Sequence, residues 1–230
     1  MNNSQKFEKF NFLLDEAEGK QFYPQDPSMF GVTKESYEDY LKKKLTKKVE
    51  EITYDEAKQV RSAIWDRAKC EKINSDNVSV LFGDHVYNVG LSRANKHLQE
   101  VLNETFKAGL KVDGKVGNLT MGAINANLPK YDKEMYEALW WRRVKYYQTE
   151  CKVDVCPSLV DSRLNRVFAK MGFPIPIPTA KPIVVETPAE PQKNVISKFK
   201  AFFSSKIGTI VLASITLVGV FFIFKAFRGK

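Results

Sequence analysis

Residues 15–33, DEAEGKQFYPQDPSMFGVT, place one carboxylate at a helix end and a second one beyond a turn. Gly19 is a residue type that commonly ends helices, so Glu18 is expected in the last turn of a helix that begins near the N-terminus. The negative end of the helix dipole disfavours another negative charge at that point, which favours the protonated form of Glu18. A protonated carboxyl group there can serve as a general acid.

Asp26 is the second carboxylate of this stretch and follows the turn marked by Tyr23 and Pro24. We expect it to face Glu18 across a cleft as the ionised partner, which positions water or stabilises positive charge. Two carboxyl groups in different environments are what hydrolysis of a glycosidic bond needs. On spacing alone, the default interpretation of Glu18 is a solvated residue at a helix end.

Outward from this stretch, the chain is predicted to be mainly α-helical up to residue 172. Apolar residues recur at spacings of three and four, as on the buried face of a helix. They are Phe7, Phe10, Leu14 and Ala17, then Tyr37, Tyr40, Leu41 and Leu45, then Ala57, Val60, Ile64 and Ala68. Further helices are predicted at 92–102, 119–127, 132–150 and 158–171. Strand patterns are scarce apart from a short β-hairpin over 22–32.

The formal net charge of +9 over 230 residues is concentrated at one end of the chain. Residues 195–230 contain six basic residues and no acidic ones, so most of the excess belongs to this tail. A second basic run, at 42–48, is followed directly by Glu50 and Glu51 and has no interleaved aromatic residues. It favours a solvated helix face, and no nucleic-acid partner is predicted.

Residues 207–224, IGTIVLASITLVGVFFIF, carry no charge. As a helix they would rise about 27 Å, against a hydrocarbon core of about 30 Å. They are predicted to form a transmembrane helix, preceded by an amphipathic segment from residue 195. The N-terminus offers no signal peptide, so we expect a single-pass membrane protein with a C-terminal anchor. Lysines flank both ends of the span and leave its orientation open.

Residues 173–194 hold six of the ten prolines and are predicted to form a linker between the N-terminal domain and the anchor. The alternation FPIPIP favours polyproline II, which would extend the linker to a length on the order of 60 Å. A flexible linker is the alternative. The expected organisation is therefore a domain at 1–172, a linker at 173–194 and a membrane segment at 195–230.

No metal site and no cofactor are predicted. His85 and His97 lie twelve positions apart with no cysteine near either, so each is expected in the core or in a groove. The three cysteines do not form a disulfide framework. A bridge between Cys151 and Cys156 is conceivable, but buried or free thiols are the preferred interpretation.

Several motifs between residues 7 and 170 occur in an order that resembles phage endolysins of the N-acetylmuramidase type, glycoside hydrolase family 108. That family has a helix ending in E-G-G and then a D-P-G-G-x-T-x-x-G-I-T segment, and this chain has EGK at 18–20 and DPSMFGVT at 26–33. Lys20 replaces the second glycine. The loop at 26–31 is three residues shorter, with Ser28 at the place of the family's threonine.

The DGKVGNLT stretch at 113–120 is similar to the D-G-x-x-G-x-x-T turn of peptidoglycan-associated domains. Gly114 and Gly117 are expected to adopt positive φ there. A packing role for this turn is preferred over a contact with a saccharide. Residues 82–99 resemble the family's F-D-x-x-x-N-x-G and A-x-x-x-L-Q patterns. Residues 162–167, SRLNRV, resemble its closing G-W-L-N-R-V, although the tryptophan is absent.

The resemblance implies a lysozyme-like peptidoglycan hydrolase domain, with a catalytic part at 1–80 and a peptidoglycan-binding-like part at 81–172. It assigns Glu18 as the catalytic acid. Asp26, with Ser28, would orient the attacking water or stabilise the oxocarbenium-like transition state. Four further residues are assigned to substrate binding: Tyr23, Asp84, His85 and Asn88.

Two alternatives stay open beside the muramidase. One is a membrane-anchored structural or wall-binding protein of a virion that keeps the fold without catalysis. The other is a lytic transglycosylase, which would use Glu18 as both acid and base. The expected partners are peptidoglycan, a lipid bilayer and proteins of a virion membrane or capsid. The expected location is a viral membrane or the host inner membrane.

Overall fold

The computed structural model describes residues 1–152 and 156–178. Within these ranges the chain forms seven α-helices and one small antiparallel sheet, joined by short 3-10 and π-helical turns. The helices are α1 Asn3–Glu18, α2 Lys34–Leu41, α3 Tyr54–Arg67, α4 Asp76–Val89, α5 Leu91–Phe106, α6 Asn118–Lys145 and α7 Arg166–Lys170. The strands are β1 Phe22–Tyr23, β2 Ser28–Met29 and β3 Val32–Thr33. A mainly helical fold with a short β element is confirmed.

Helix α1 begins and ends at residues that favour helix termini. The Asn2 side chain accepts a hydrogen bond from the backbone N–H of Gln5, and the Gln5 side chain accepts one from the backbone N–H of Asn2. This reciprocal pair is a capping box. Gly19 ends the helix with φ at +72°. Glu18 is therefore the last residue of α1, as predicted.

The small sheet contains one strand more than the predicted hairpin. Strand β2 lies in the middle, with Tyr23 opposite Ser28 on one side and Thr33 opposite Ser28 on the other. The turn from β2 to β3 consists of Phe30 and Gly31, both with positive φ. Positive φ at both positions is the geometry of a tight two-residue hairpin turn. This turn brings the sheet back towards the end of α1.

Helix α4 is the central helix of the described fold and contacts α1, α3, α5 and α6. All of its residues from Val78 to Val86 are buried. Gly83 lets the neighbouring helices approach closely, because a Cβ there would lie 3.0 Å from the Trp65 ring and 3.3 Å from Phe10. Since α4 is buried on every side, its polar residues Asp84 and His85 also lie inside the core.

The loop between α5 and α6 is held by α5 side chains. Asn95 donates to the carbonyl of Gly114, and Gln99 accepts from the Gly114 N–H. Gly114 has the expected positive φ, at +74°. The same expectation for Gly117 is wrong: its φ is −96°, because it lies in extended backbone directly before α6.

Helix α6 contains the helix predicted at 119–127 and most of the one predicted at 132–150, joined across a kink. Pro129 lies inside it, and Tyr131 has the non-helical angles φ −130° and ψ 38°. Proline removes a backbone hydrogen bond and bends a helix, so the two predicted segments meet at this kink. A π-helical turn, Tyr146–Glu150, follows directly.

Cys151 and Cys156 form a disulfide, which corrects the expectation of free thiols. Their Cα atoms lie 6.2 Å apart, within the range that a disulfide can bridge. Cys70 is free and buried. The disulfide joins the end of α6 to the C-terminal segment, residues 156–173, which contains a π-helical turn, Val160–Asn165, and then α7.

The lysines at 42–48 do not form the predicted helix face. Helix α2 ends at Leu41, Lys42 has a left-handed conformation, and the remaining lysines lie in the following loop. Repulsion between neighbouring like charges disfavours a helix there. Within residues 1–152 and 156–178, no helix has the length and apolarity needed to span a bilayer. The predicted span at 207–224 and most of the linker lie outside the described residues.

Candidate active site around Glu18

Glu18 lies between the end of α1 and the turn that joins β2 to β3. Its side chain is 23% exposed. A Cβ at Gly31 would lie 2.5 Å from Glu18 Cγ, so the backbone of the turn packs directly on this side chain. Tyr87 of α4 donates from its hydroxyl to the Gly31 carbonyl. Burial, and then the nearby Glu18 charge, raise the pKa of Tyr87, which keeps the phenol a donor.

Arg61 fixes the same turn from the other side. It is fully buried and donates to the Asp15 carboxylate at 2.7 Å, to Asn11 Oδ1 at 2.9 Å and to the Phe30 carbonyl at 2.8 Å. Asp15 also accepts from the Tyr54 hydroxyl at 2.6 Å. These contacts link α1, α3 and the turn, so the backbone beside Glu18 is anchored to the core.

Arg163 of the C-terminal segment donates from Nη1 to Glu18 Oε1. The same guanidinium donates to Asp84 from Nε at 3.1 Å and from Nη2 at 2.6 Å. Burial alone would lower the pKa of Arg163, but the Asp84 and Glu18 carboxylates outweigh it and hold that pKa above its ordinary value. Arg163 therefore stays a cation that bridges two acidic side chains.

Asp84 is the buried anion at the centre of this network. Its side chain is 0% exposed and lies 2.5 Å from Nη1 of Arg143 in addition to its bonds with Arg163. Burial would raise its pKa, but Arg143 and Arg163 together hold the pKa below its usual range. Arg143 in turn donates to the Tyr147 hydroxyl at 3.0 Å and 3.1 Å.

The predicted electrostatics of Glu18 considered only the helix dipole. Arg163 adds a positive charge at the same place, and Oε1 is its hydrogen-bond acceptor. Sequence reasoning could not supply this contact, because Arg163 follows Glu18 by 145 positions.

Asp26 lies in the turn between β1 and β2, and Ser28 is the first residue of β2. Asp26 is exposed. It has no hydrogen bond or ion pair with any residue in the part of the chain that the structure describes. Ser28 is 8% exposed, in the middle strand. The structure thus leaves the Asp26 carboxylate unrestrained, and it gives no contact between Asp26 and Glu18.

The four residues predicted to bind substrate differ in their accessibility. Tyr23 is 36% exposed, and its hydroxyl would lie 3.2 Å from a Cβ at Gly19, next to the end of α1. Asp84 and His85 are buried, so neither can contact a substrate directly, which corrects that expectation. Asn88 is half-buried and donates to the Asp84 carbonyl at 2.7 Å, within its own helix.

His85 and His97 form a buried pair, with Nε2 of His85 2.8 Å from Nδ1 of His97. Burial, and then the nearby arginines, lower the pKa of both imidazoles, that of His97 to about 4. Both rings are therefore neutral near pH 7. In the described residues no group of three or more candidate ligands is arranged to hold a metal ion.

Two family models match parts of this chain. Residues 11–90 match the family model described as Glycosyl hydrolase 108, and residues 93–154 match the one described as Predicted Peptidoglycan domain. The matches support a glycosidase of the peptidoglycan hydrolase class. No curated protein matches the chain.

A solved structure, described as the structure of Brucella abortus SagA, is similar to this chain. The TM-score is 0.56 at 18% sequence identity, over 74% of this chain and 92% of that chain. At this identity the likeness shows the fold. Glu18, Gly31, Arg61 and Tyr87 all lie in the region that matches Glycosyl hydrolase 108.

Four buried or half-buried residues around Glu18 were missed from the sequence: Arg61, Tyr87, Arg143 and Arg163. A buried arginine and an exposed one have the same appearance in a sequence when no homologues are compared. One signal was present for Arg163, which occupies the place of the missing tryptophan in the SRLNRV stretch. A departure from a pattern at a core position can mark a changed contact.

Proposed function

We propose that the protein is an N-acetylmuramidase that cleaves glycosidic bonds of the bacterial cell wall. The observation that carries this proposal is the position of Glu18. It is a partly exposed carboxyl group at the end of α1, walled by the β2–β3 turn, inside the region that matches Glycosyl hydrolase 108. In this proposal Glu18 protonates the leaving glycosidic oxygen.

The second group of the muramidase is Asp26, with Ser28 beside it. Asp26 is exposed and has no ion pair among the described residues, so it can orient an attacking water once a sugar chain lies between it and Glu18. Oxocarbenium-like charge that develops in the transition state would also be stabilised by this anion.

A lytic transglycosylase is the second candidate, and one observation favours it. No contact among the described residues holds Asp26 against Glu18. A transglycosylase needs no second carboxylate, because Glu18 would act first as acid and then as base. Mass spectrometry of the released fragments separates the two: the muramidase leaves reducing ends, and the transglycosylase leaves anhydromuramic ends.

The test of catalysis is clearance of purified sacculi by Glu18→Gln. The replacement keeps the side-chain volume and an acceptor oxygen for Arg163, but it removes the acid. Turnover should fall by about two to four powers of ten while binding to sacculi is retained. Glu16→Gln is the matched control, because Glu16 lies on the same helix and pairs with Lys170. Clearance by Glu18→Gln at the wild-type rate would exclude Glu18 as the acid. Binding of sacculi without clearance by the wild type would favour the non-catalytic wall-binding alternative.

We also propose that residues 195–230 anchor the enzyme in a bilayer, either a viral membrane or the host inner membrane. Support comes from the uncharged stretch at 207–224 and the six basic residues around it. A viral source is supported by the resemblance to phage endolysins. Deletion of 195–230 should move the protein from the membrane fraction to the supernatant and leave its activity on isolated sacculi. If the deleted form still pellets with membranes, the anchor lies elsewhere.

A further inference from the structure

The C-terminal segment, residues 156–173, lies beyond both regions that match family models. It is nevertheless part of the core, since Leu164 and Phe168 are fully buried and Val167 is 3% exposed. Phe168 packs edge-on against Trp140 of α6 at 5.5 Å, and α7 contacts α1. The segment is tied to the end of α6 by the disulfide. Its position relative to α1 is thus fixed by packing, and its start is joined covalently to Cys151.

Arg163 projects from this segment with its guanidinium fixed by the core. Asp84, which is fully buried, accepts two of its N–H groups and is held in turn by Arg143. Because a guanidinium is planar and its donors form a rigid fork, binding Asp84 on one edge sets the direction of the remaining donor. That donor is Nη1, and it binds Glu18 Oε1.

The contact leaves the other oxygen of Glu18 available. Oε1 is occupied by Arg163, whereas Oε2 has no hydrogen-bond partner among the described residues. A glutamate at a helix end has several rotamers of similar energy, and a bond to a fixed donor selects one of them. A general acid must hold its proton within hydrogen-bond reach of the leaving oxygen. Fixing Oε1 therefore directs Oε2 to the position where that proton is needed.

We infer that Arg163 is a positioning residue of the active site, supplied by the C-terminal segment and aligned by Asp84. The inference rests on the proposed role of Glu18 as general acid. It implies that the region matching Glycosyl hydrolase 108 does not contain the whole active site. In this inference Arg163 acts through Glu18.

The experiment measures turnover and KM on soluble peptidoglycan fragments for Arg163→Ala and Arg163→Lys in the full chain. Loss of orientation lowers kcat, and a misplacement of about 1 Å can cost about 100-fold. We expect such a loss for Arg163→Ala with KM unchanged, because the sugar-binding surface is intact. Lysine keeps the charge but cannot bind both carboxylates as a fork, so Arg163→Lys should recover only part of the loss. Added guanidinium ion, at a concentration too low to unfold the protein, should restore part of the turnover of Arg163→Ala.

Arg166→Ala is the matched control. Arg166 lies in the same segment with an exposed guanidinium that donates to the Ser162 carbonyl, away from Glu18. It should keep wild-type kcat and show no response to guanidinium. Arg163→Lys is the variant to interpret if Arg163→Ala does not fold, as judged by its thermal transition.

Each outcome decides between separate claims. A wild-type kcat for Arg163→Lys and Arg163→Ala, with Glu18→Gln inactive, would overturn the inference and keep the muramidase proposal. Wild-type activity in Glu18→Gln would overturn the proposed role of Glu18 as general acid, on which the inference rests. In a third outcome, kcat falls, guanidinium does not restore it, and the thermal transition is lowered as well. Arg163 would then be a structural residue, which would overturn the inference.

Discussion

Gly31 and Glu18 lie so close that no side chain fits between them. A Cβ at position 31 would lie 2.5 Å from Glu18 Cγ and 2.6 Å from the Tyr87 hydroxyl. Gly31 also has φ at +73°, a conformation that residues with a side chain rarely adopt. The backbone of the β2–β3 turn therefore packs directly against the side chain of the catalytic candidate.

We predict that Gly31→Ala lowers both stability and activity. The strained φ and the overlap with Glu18 should reduce the free energy of unfolding by about 1–3 kcal/mol. Displacement of the carboxyl group should reduce clearance of sacculi by about 100-fold, because catalysis depends on its placement. Urea unfolding and a turbidity assay measure the two effects.

Gly122→Ala is the control for Gly31→Ala. Gly122 is an exposed residue of α6, and a Cβ there would meet nothing within 4 Å. Alanine in a helix is favoured over glycine by about 1 kcal/mol, so this variant should be slightly more stable and fully active. If Gly31→Ala behaved like Gly122→Ala, the turn would not form a wall of the site.

The end of α1 could be predicted from local signals. The remaining contacts of the site join residues far apart in the sequence and could not be predicted. Gly19 ends α1 through its own backbone preference, and the turn residues between 22 and 32 indicate a β element, so both could be predicted from a few neighbouring positions. The contact between Arg163 and Glu18 spans 145 positions and depends on how α7 packs. No local pattern encodes it. Pro129 is a further local signal, since the non-helical Tyr131 lies in the break that was predicted between the helices at 119–127 and 132–150.

Asp26→Asn separates the two catalytic candidates. In a muramidase, loss of this carboxylate should remove most hydrolysis, because the group that orients the attacking water is gone. In a transglycosylase the same change should have little effect. Release of reducing ends from sacculi is the measurement for the first case, and release of anhydromuramic ends for the second. Full activity with reducing ends would show that another group activates the water.

Asp84→Asn should destabilise the protein strongly. The replacement leaves Arg143 and Arg163, 0% and 6% exposed in their side chains, without their buried anion. Loss of one partner from a buried ion pair costs about 3–5 kcal/mol, and urea unfolding would show this decrease. Asp161→Asn serves as the control, because Asp161 is exposed and accepts only from the Asn165 side chain within the described residues. Equal midpoints for the two variants would show that the network contributes no net stability.

The buried pair of His85 and His97 should make the fold sensitive to acid. Burial first, and then Arg142, lower the pKa of His97 from 6.5 to about 4, and Glu150 opposes them. Between these two values the unfolded chain binds a proton that the folded chain does not. Stability is therefore complete above the unfolded pKa of about 6.5 and is lost as pH falls towards the folded value.

His97→Gln tests this acid sensitivity. Protonation of His97 in the unfolded state lowers the free energy of unfolding by about 3 kcal/mol at pH 4. The variant should therefore lose less stability on acidification than the wild type. His85, whose pKa burial also lowers, should keep part of the effect. Urea unfolding at a series of pH values gives the slope, and Lys96→Gln, an exposed neighbour on α5, should keep the wild-type slope. An unchanged slope in His97→Gln would mean that other groups, such as the buried Asp84, dominate the acid response.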